Sequence, residues 1–420
     1  MIAIVGGGLT GLALAHQLAR RGVPHVVLEA ADRPGGVVRS ARVDGHLLEW
    51  GPQRTRLTAG MEELVRSLGI EGEVITAPPG LPLFVYRAGR LRRVPFSAGD
   101  FLRSDIFSPA GKLRVLLEPF TGAARAEESV AGFFTRKVGR EAYENLLGPL
   151  YGGLYASDPA TMEVGLSLGH ALREFGIGRS LLRPLLHRRG RLRPPPATSF
   201  REGMQTLPLA LYEANRPNVR LSTSVEGLRG AGSGFVLDLH GDALLAEQVV
   251  LTVPAPAAAQ LLDGPAPDAA RRISSLNYNP LAVVHVRAET GLRGLGYQVS
   301  LAEPLWTRGV TFNDSLFGRT GVHTIYLGGA KNPQVETATE QELAERALRE
   351  FRLVTGADAE VLSVDRERMP AWDRSWRALR GLRLPTGIRI AANWESRPGI
   401  PGRLAQAQRL AAELGQGSGA

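Results

Sequence analysis

The sequence predicts an α/β protein whose amino terminus forms a Rossmann-type β-α-β unit, and three observations carry that prediction. An apolar run, Ile2–Val5, leads directly into the glycine-rich turn Gly6–Gly11. An apolar-periodic stretch, Leu9–Arg21, follows and stops at Gly22, where a helix would be capped. A second apolar run, His25–Leu28, then closes the unit on Glu29.

At 420 residues the chain exceeds one ordinary domain, so two or three lobes around a large core are expected. Glycine (50) and proline (28) are abundant but scattered, which predicts many turns rather than a fibrous or disordered chain. The formal net charge is +9, and of 50 Lys+Arg only Lys112, Lys137 and Lys331 are lysines. An arginine fork suits carboxylates and phosphates, although a GC-rich genome also writes arginine where no ligand binds. The absence of cysteine excludes disulfides, cysteine-ligated zinc, iron–sulfur clusters and thiol nucleophiles. No charged segment leading into an apolar core opens the chain, so no signal peptide is expected. No apolar run of about 18 residues is free of proline and charge, so no bilayer span is expected either.

Further along, Leu47–Glu49 reads as a strand ahead of Gly51-Pro52, and Ala59–Leu68 as a helix burying Met61, Leu64, Val65 and Leu68. Leu81–Val94 has the texture of a hairpin turning at Ala88-Gly89. Ala98 to Arg193 is leucine-rich and mainly helical, ending at the proline break 194–196. Gln205–Ala214 is then predicted helical, with Val219–Ser224, Phe235–His240 and Gln248–Val253 as strands. Short strands dominate Tyr278–Leu327, and Thr339–Thr355 is a helix with i, i+4 charge pairs. Ile388–Ala392 is the last strand and Arg403–Leu414 the last helix, before a tail, Gly415–Ala420, expected to fray.

The glycine turn Gly6-Gly7-Gly8-Leu9-Thr10-Gly11 fits GxGxxG through Gly6, Gly8 and Gly11. Gly6 turns the chain, Gly8 lets backbone approach a pyrophosphate, and Gly11 lets the helix pack against the sheet. The helix start offers unpaired N–H groups and a positive dipole end to the phosphates. Glu29 lies close to the usual spacing of about 20 residues, where a carboxylate accepts the ribose hydroxyls and repels a 2′-phosphate. Arg33-Pro34-Gly35-Gly36 and Gly51-Pro52 then let a long flavin lie against backbone, which favours FAD over NAD. The other glycine cluster, Gly230–Gly234, sits between two strands with no helix behind it, so no second nucleotide site is expected. A flavoprotein without an NAD(P)H site is reduced by its own substrate and reoxidised by oxygen or another acceptor, which makes it an oxidase.

The string Gly6–Gly11, Glu29, Gly35-Gly36 and Gly51-Pro52 resembles the amine-oxidase-like FAD superfamily. LLEPF (Leu116–Phe120), ENLLGPLYGGLYASDP (Glu144–Pro159), SFREGMQTLP (Ser199–Pro208), YNPLAVVHV and GYQVS (within Tyr278–Ser300) resemble its protoporphyrinogen/coproporphyrinogen oxidase branch. The resemblance implies a discontinuous Rossmann-type FAD-binding domain (1–75, 198–270, 386–415) and a mixed-sheet substrate domain (76–97, 271–385). It also implies a helical domain (98–197) that touches a membrane surface. It places Gly6–Gly11, Glu29, Val37, Gly51–Arg54 and Val225 at FAD, Val225 ending the strand-like LSTSV and meeting adenine through its backbone. Asn393, Pro398, Gly399 and Ile400 would run under the flavin, ahead of a helix starting near Gly402 whose dipole could act on N1–C2=O. Asn393 could instead simply cap the preceding strand. This chain departs from the branch at Ala392 and Arg397, where glycine is usual, and at Gly402, where aspartate is usual. Leu83 stands where some members carry a basic residue for a substrate propionate. Arg54 and Arg56 are then either carboxylate partners or solvated arginines.

The implied reaction is oxidation of a porphyrinogen, proto- or coproporphyrinogen, to the porphyrin of haem biosynthesis. A methine-bridge hydride would pass to flavin N5, with oxygen as acceptor. Pyrrole nitrogens stabilise the developing cation, so no catalytic acid, base or nucleophile is assigned. The eight histidines (16, 25, 46, 170, 187, 240, 285, 323) lack metal-type spacing, and no metal is expected. Arg179–Arg193 interleaves leucines with arginines, as a peripheral segment on an anionic membrane or as a solvated basic loop. No recognition module accompanies the charge, so nucleic acid is not an expected partner. A cytoplasmic protein, with peripheral contact at the inner face of the membrane, follows; an oligomer is compatible with the sequence. Rival readings are an amine oxidase or carotenoid desaturase of the same superfamily, and a flavin-holding partner protein without turnover.

Overall fold

The computed structural model describes residues 1–174, 176–182, 196–232, 234–396 and 399–416. It confirms the α/β class and distributes the strands over several sheets. The first is parallel, in the order Val219–Arg220, His25–Leu28, Ile2–Val5, Gln248–Leu251, Ile388–Ile390. Its three central strands are buried except at the half-buried Gln248, because helix Leu9–Ala19 packs on one face and the strands Val225–Ala231 and Gly234–Leu239 share a core with the other. Helix Leu9–Ala19 lies between this sheet and helices Thr206–Asn215 and Ile400–Gln416, with Leu12, Leu14 and Leu18 wholly buried. Strands from the beginning, middle and end of the chain therefore form one layer.

The second sheet has seven strands, in the order Glu360–Pro370, Tyr278–Arg287, Val322–Gly328, Thr307–Phe312, Gly296–Val299, Leu83–Arg87, Arg90–Arg93. It is mixed: Gly296–Val299 runs parallel to Leu83–Arg87, and the other pairs are antiparallel. The hairpin Leu83–Arg93 turns at Ala88-Gly89, both at positive φ (47° and 72°). Helix Glu340–Thr355 covers one face through Leu343, Ala347 and Phe351, and begins with a capping box between Thr339 and Glu342. Smaller sheets pair Val225–Ala231, Gly234–Leu239 and Asp242–Ala246; Ser40–Val43 with His46–Glu49; and Thr55–Arg56, Ala197–Phe200 and Val74–Thr76.

Between residues 98 and 174 the chain is helical, interrupted by π-helical turns at Tyr143–Leu147 and Val164–Leu168. A buried ion pair, Lys137–Glu118 at 2.5 Å, ties this region together. Glu118 also accepts the Ser180 hydroxyl and the backbone N–H groups of Leu181 and Leu182.

Several expectations need correction. Only Val219–Arg220 of the expected strand Val219–Ser224 pairs, because Ser222 turns at φ 50° and its N–H donates to Ala31. Val225 consequently opens the next strand rather than ending LSTSV. The last helix starts at Ile400, earlier than Gly402 or Arg403. Glu360–Pro370 escaped sequence reading altogether: it is an edge strand with one neighbour, and Asp365, Arg366, Glu367 and Arg368 break its apolar period. Arg397, Pro398 and most of Arg179–Arg193 lie outside the described residues.

Candidate active site

The glycine turn works at the carboxyl ends of the parallel strands, where such sheets bind ligands. Gly6 turns at φ 109° and its N–H donates to the Leu28 carbonyl. A Cβ on Gly11 would lie 2.0 Å from the Gly6 carbonyl oxygen, so this glycine sets the approach of helix to strand. Gly8 differs: it precedes the helix at φ −69°, and a Cβ there would meet nothing within 4 Å. The open space beside Gly8 is the cavity. No side chain caps the helix, which leaves its first-turn N–H groups for a ligand.

Glu29 is fixed before any ligand arrives. One carboxylate oxygen accepts the Gly7 N–H at 2.6 Å and the other accepts Ala31 N–H at 2.8 Å. Gly35 pairs back to Gly8 as an isolated bridge, and its N–H donates to Gly7, so loop and turn form one backbone cradle. A Cβ on Gly51 would fall 2.1 Å from the Val37 carbonyl oxygen, which requires glycine where the two segments cross. Val37 is 60% exposed, an apolar side chain awaiting cover at the cavity wall.

These segments line one cavity of about 3170 Å³, well above the roughly 300–1,000 Å³ of ordinary small-molecule sites. Of the expected positions, Gly6, Gly8, Leu9, Thr10, Glu29, Gly35, Gly36, Val37, Gly51, Pro52, Gln53, Arg54, Val225, Asn393, Gly399 and Ile400 face it. Gly7 and Gly11 lie behind the lining, as backing for Glu29 and Gly6. Arg33 also stands outside it and instead donates to the Gly36 carbonyl. Gln53 is turned inward: its amide donates to the Glu49 carbonyl and accepts from Asn313 and Thr324, leaving backbone to face a ligand.

The cavity continues from this cradle onto the seven-stranded sheet, reaching Leu83, Leu281, Val283, Gln298, Tyr326 and Met369. Tyr155 and Trp372 line it with their rings 6.2 Å apart, and Trp372 is held at φ 51°, a conformation that costs a bulky residue energy. Beneath the floor, burial pushes the Glu49 carboxyl up while Arg319, Ser40 and Met204 N–H pull it back. His285 sits below its ordinary value because it is buried, between Ser363 and the Glu49 carbonyl. Among the described residues no histidine lines the cavity, and no group of three metal-ligating side chains occurs.

Sequence reasoning missed Arg403, which is buried in the first turn of the last helix. It donates to the Ala392 carbonyl, Gln406 and Ser396, fixing the segment ahead of that helix, and burial pulls its guanidinium down to about 10. An arginine near a helix start opposes the dipole, and that anomaly was the available signal. Gln298, Tyr326 and Trp372 were missed because strands far apart in sequence bring them together.

An uncapped helix start, an oriented carboxylate and a glycine-walled crossing together fit an adenine dinucleotide extended toward a second, mainly apolar compartment; this is the site of a flavoprotein. The profile of the flavin-containing amine oxidoreductases matches residues 9–383, and the chain belongs to that family. FAD is its cofactor. The chain is 30% identical over 395 residues to protoporphyrinogen oxidase 1, chloroplastic, of Spinacia oleracea, covering 84% of this chain and 70% of that protein. It is 34% identical over 171 residues to coproporphyrinogen III oxidase of Staphylococcus aureus, covering 37% of this chain and 36% of that protein. In fold it resembles a provisionally assigned protoporphyrinogen oxidase from Exiguobacterium sp. 255-15 (TM-score 0.81, 21% identity, 99% and 98% of the two chains). It also resembles a putrescine oxidase variant (TM-score 0.75, 18% identity, 98% of each).

Proposed function

We propose that this protein is an FAD-dependent oxidase converting a porphyrinogen, protoporphyrinogen IX or coproporphyrinogen III, to the porphyrin in haem biosynthesis, with oxygen as acceptor. One observation carries the reading: a single cavity joins the dinucleotide cradle to an apolar floor of Leu83, Leu281, Val283 and Met369, broad enough for a tetrapyrrole. Similarity to named porphyrinogen oxidases over most of the chain supports it.

When bound, FAD supplies the hydride acceptor at N5. The chain's own part is to hold the cofactor through Gly6–Gly11, Glu29, Gly35–Val37, Gly51–Gln53 with the backbone of Arg54, Val225, Asn393, Gly399 and Ile400. The floor would seat the macrocycle and exclude water, which aids orientation and removes competing proton traffic. Among the described residues no histidine lines the cavity, which suits a substrate whose own pyrrole nitrogens stabilise the cation.

The domain assignment follows the same reading: residues 1–75, 198–270 and 386–415 for FAD, 76–97 and 271–385 for substrate, and 98–197 as a helical membrane-facing part. Leu102, Leu113, Leu117 and Phe120 are exposed there, Phe120 by 86%, which supports peripheral contact with a membrane surface. Among the described residues no helix is long and apolar enough to cross a bilayer.

Steady-state turnover under air with both porphyrinogens, an amine and a carotenoid tests the proposal. Porphyrin fluorescence and peroxide should appear with a porphyrinogen alone. Turnover of the amine or carotenoid instead would sink it.

A further inference from the structure

We propose that Arg54, with Tyr326 and Gln298 beside it on the sheet floor, anchors a propionate carboxylate of the substrate. This rests on the porphyrinogen reading and names the group by which such a substrate is held.

The sheet register places the floor. Val283 pairs with Tyr326, Tyr326 with Gly309, and Gly309 with Gln298, so these residues form one row across four strands. Directly paired residues point to the same face, and all four line the cavity. Gly309 leaves a gap in the row, which the Gln298 carboxamide fills: a Cβ there would lie 2.9 Å from both its terminal atoms. Gly153, from the helical region, presses on the same amide, since its Cβ would lie 2.6 Å from Oε1. The amide is thus clamped between two glycines, and its Oε1 is buried without a hydrogen-bond partner. Toward a carboxylate, a carboxamide presents its NH2.

Arg54 supplies the charge. Its Nη1 is buried and has no partner, and the residue lines the cavity. Its electrostatic neighbours are the Tyr326 phenol and the Arg56 guanidinium, and burial lowers its proton affinity. Among the described residues no carboxylate pairs with it: Glu49 is paired with Arg319, and the half-buried Glu367 has Arg39 and Arg33 as its cations. A guanidinium cannot discharge by losing its proton, and an unpaired buried charge is costly, so an anion from outside the chain completes the site. The cofactor's phosphates belong to the helix start at Gly8, on the other sheet, which leaves a substrate carboxylate for Arg54. Arg56, the other candidate from sequence, also lines the cavity but is the more exposed of the two.

The test is equilibrium binding of protoporphyrin and of its dimethyl ester to the holoprotein, followed by porphyrin fluorescence, with bound flavin measured alongside. Wild type should favour the diacid about tenfold or more, the worth of a hydrogen bond to a charged group. Arg54→Met should bind acid and ester alike, and Arg54→Lys should keep most of the preference. Flavin content should be unchanged throughout. A diacid preference that survives Arg54→Met, or a variant that loses flavin instead of the preference, overturns the anchor alone. Wild-type protein that binds neither porphyrin overturns the porphyrinogen reading together with it.

Discussion

The Gly7 N–H donates to the Glu29 carboxylate at 2.6 Å, joining the first glycine turn to the end of the second strand. The acid meant for the ribose is therefore oriented by the same backbone that cradles the pyrophosphate. Glu29→Ala removes the ribose acceptor and also frees the Gly7 and Ala31 amides. FAD affinity, read by flavin fluorescence on titration of apoprotein, should fall about tenfold or more, the range of one to two charged hydrogen bonds. Unchanged affinity would show that Glu29 does not meet the cofactor.

Gly8 and Gly11 should separate cofactor binding from folding. Gly8→Ala adds a methyl group where nothing lies within 4 Å, at a φ that alanine adopts freely, so the apoprotein should melt within a few degrees of wild type. Its FAD affinity should nonetheless fall, because the methyl occupies the pyrophosphate's approach. Gly11→Ala forces a carbon 2.0 Å from the Gly6 carbonyl oxygen and should lower the melting temperature of the apoprotein itself. Thermal melts with and without FAD distinguish the two.

Glu118 and Lys137 form a buried pair whose removal from one side should be costly. Glu118→Gln leaves the Lys137 ammonium without its counter-charge and should destabilise by about 3–5 kcal/mol. Glu118→Leu combined with Lys137→Met should recover much of that loss, although the Ser180, Leu181 and Leu182 donors also lose their acceptor. Denaturant unfolding of the single and double variants decides it.

Acid should weaken the fold in two stages. Burial, before other causes, holds His16, His285 and His323 below their ordinary 6.5. The folded state then binds fewer protons than the unfolded one, so stability is full above 6.5 and falls as pH drops below it. Burial raises the Glu118 carboxyl, but Lys137, Ser180 and the two amides outweigh it and hold the group below 4.5. Its contribution is present above 4.5 and is lost as pH falls through the lower, folded value. Melting temperatures from pH 8 to about pH 2 should show both limbs, with His323→Gln flattening the upper and Glu118→Gln the lower.

The nucleotide cradle was legible in sequence because its parts are local: Gly6 to Glu29 is one β-α-β unit, and each glycine answers to a nearby backbone contact. The floor was not. Tyr326, Gly309 and Gln298 meet only through antiparallel register, and the edge strand Glu360–Pro370 carries charges that hide its period. Arg403 lies close to the expected helix start, yet its role depends on Ala392 being buried beneath it, which no spacing rule reveals. The misplacement of Val225 has a similar cause: hydrogen bonds from Ser222 and Thr223 back to Ala31 and Glu29 replace the ladder that β-propensity had suggested.

Anaerobic mixing of the FAD-loaded protein with a porphyrinogen bears most directly on the central claim, that cofactor and tetrapyrrole share one cavity. The yellow flavin absorption should bleach, and admitting air should restore it while fluorescent porphyrin accumulates. Flavin that stays oxidised under a porphyrinogen atmosphere-free of oxygen, in protein shown to be fully loaded, would contradict it.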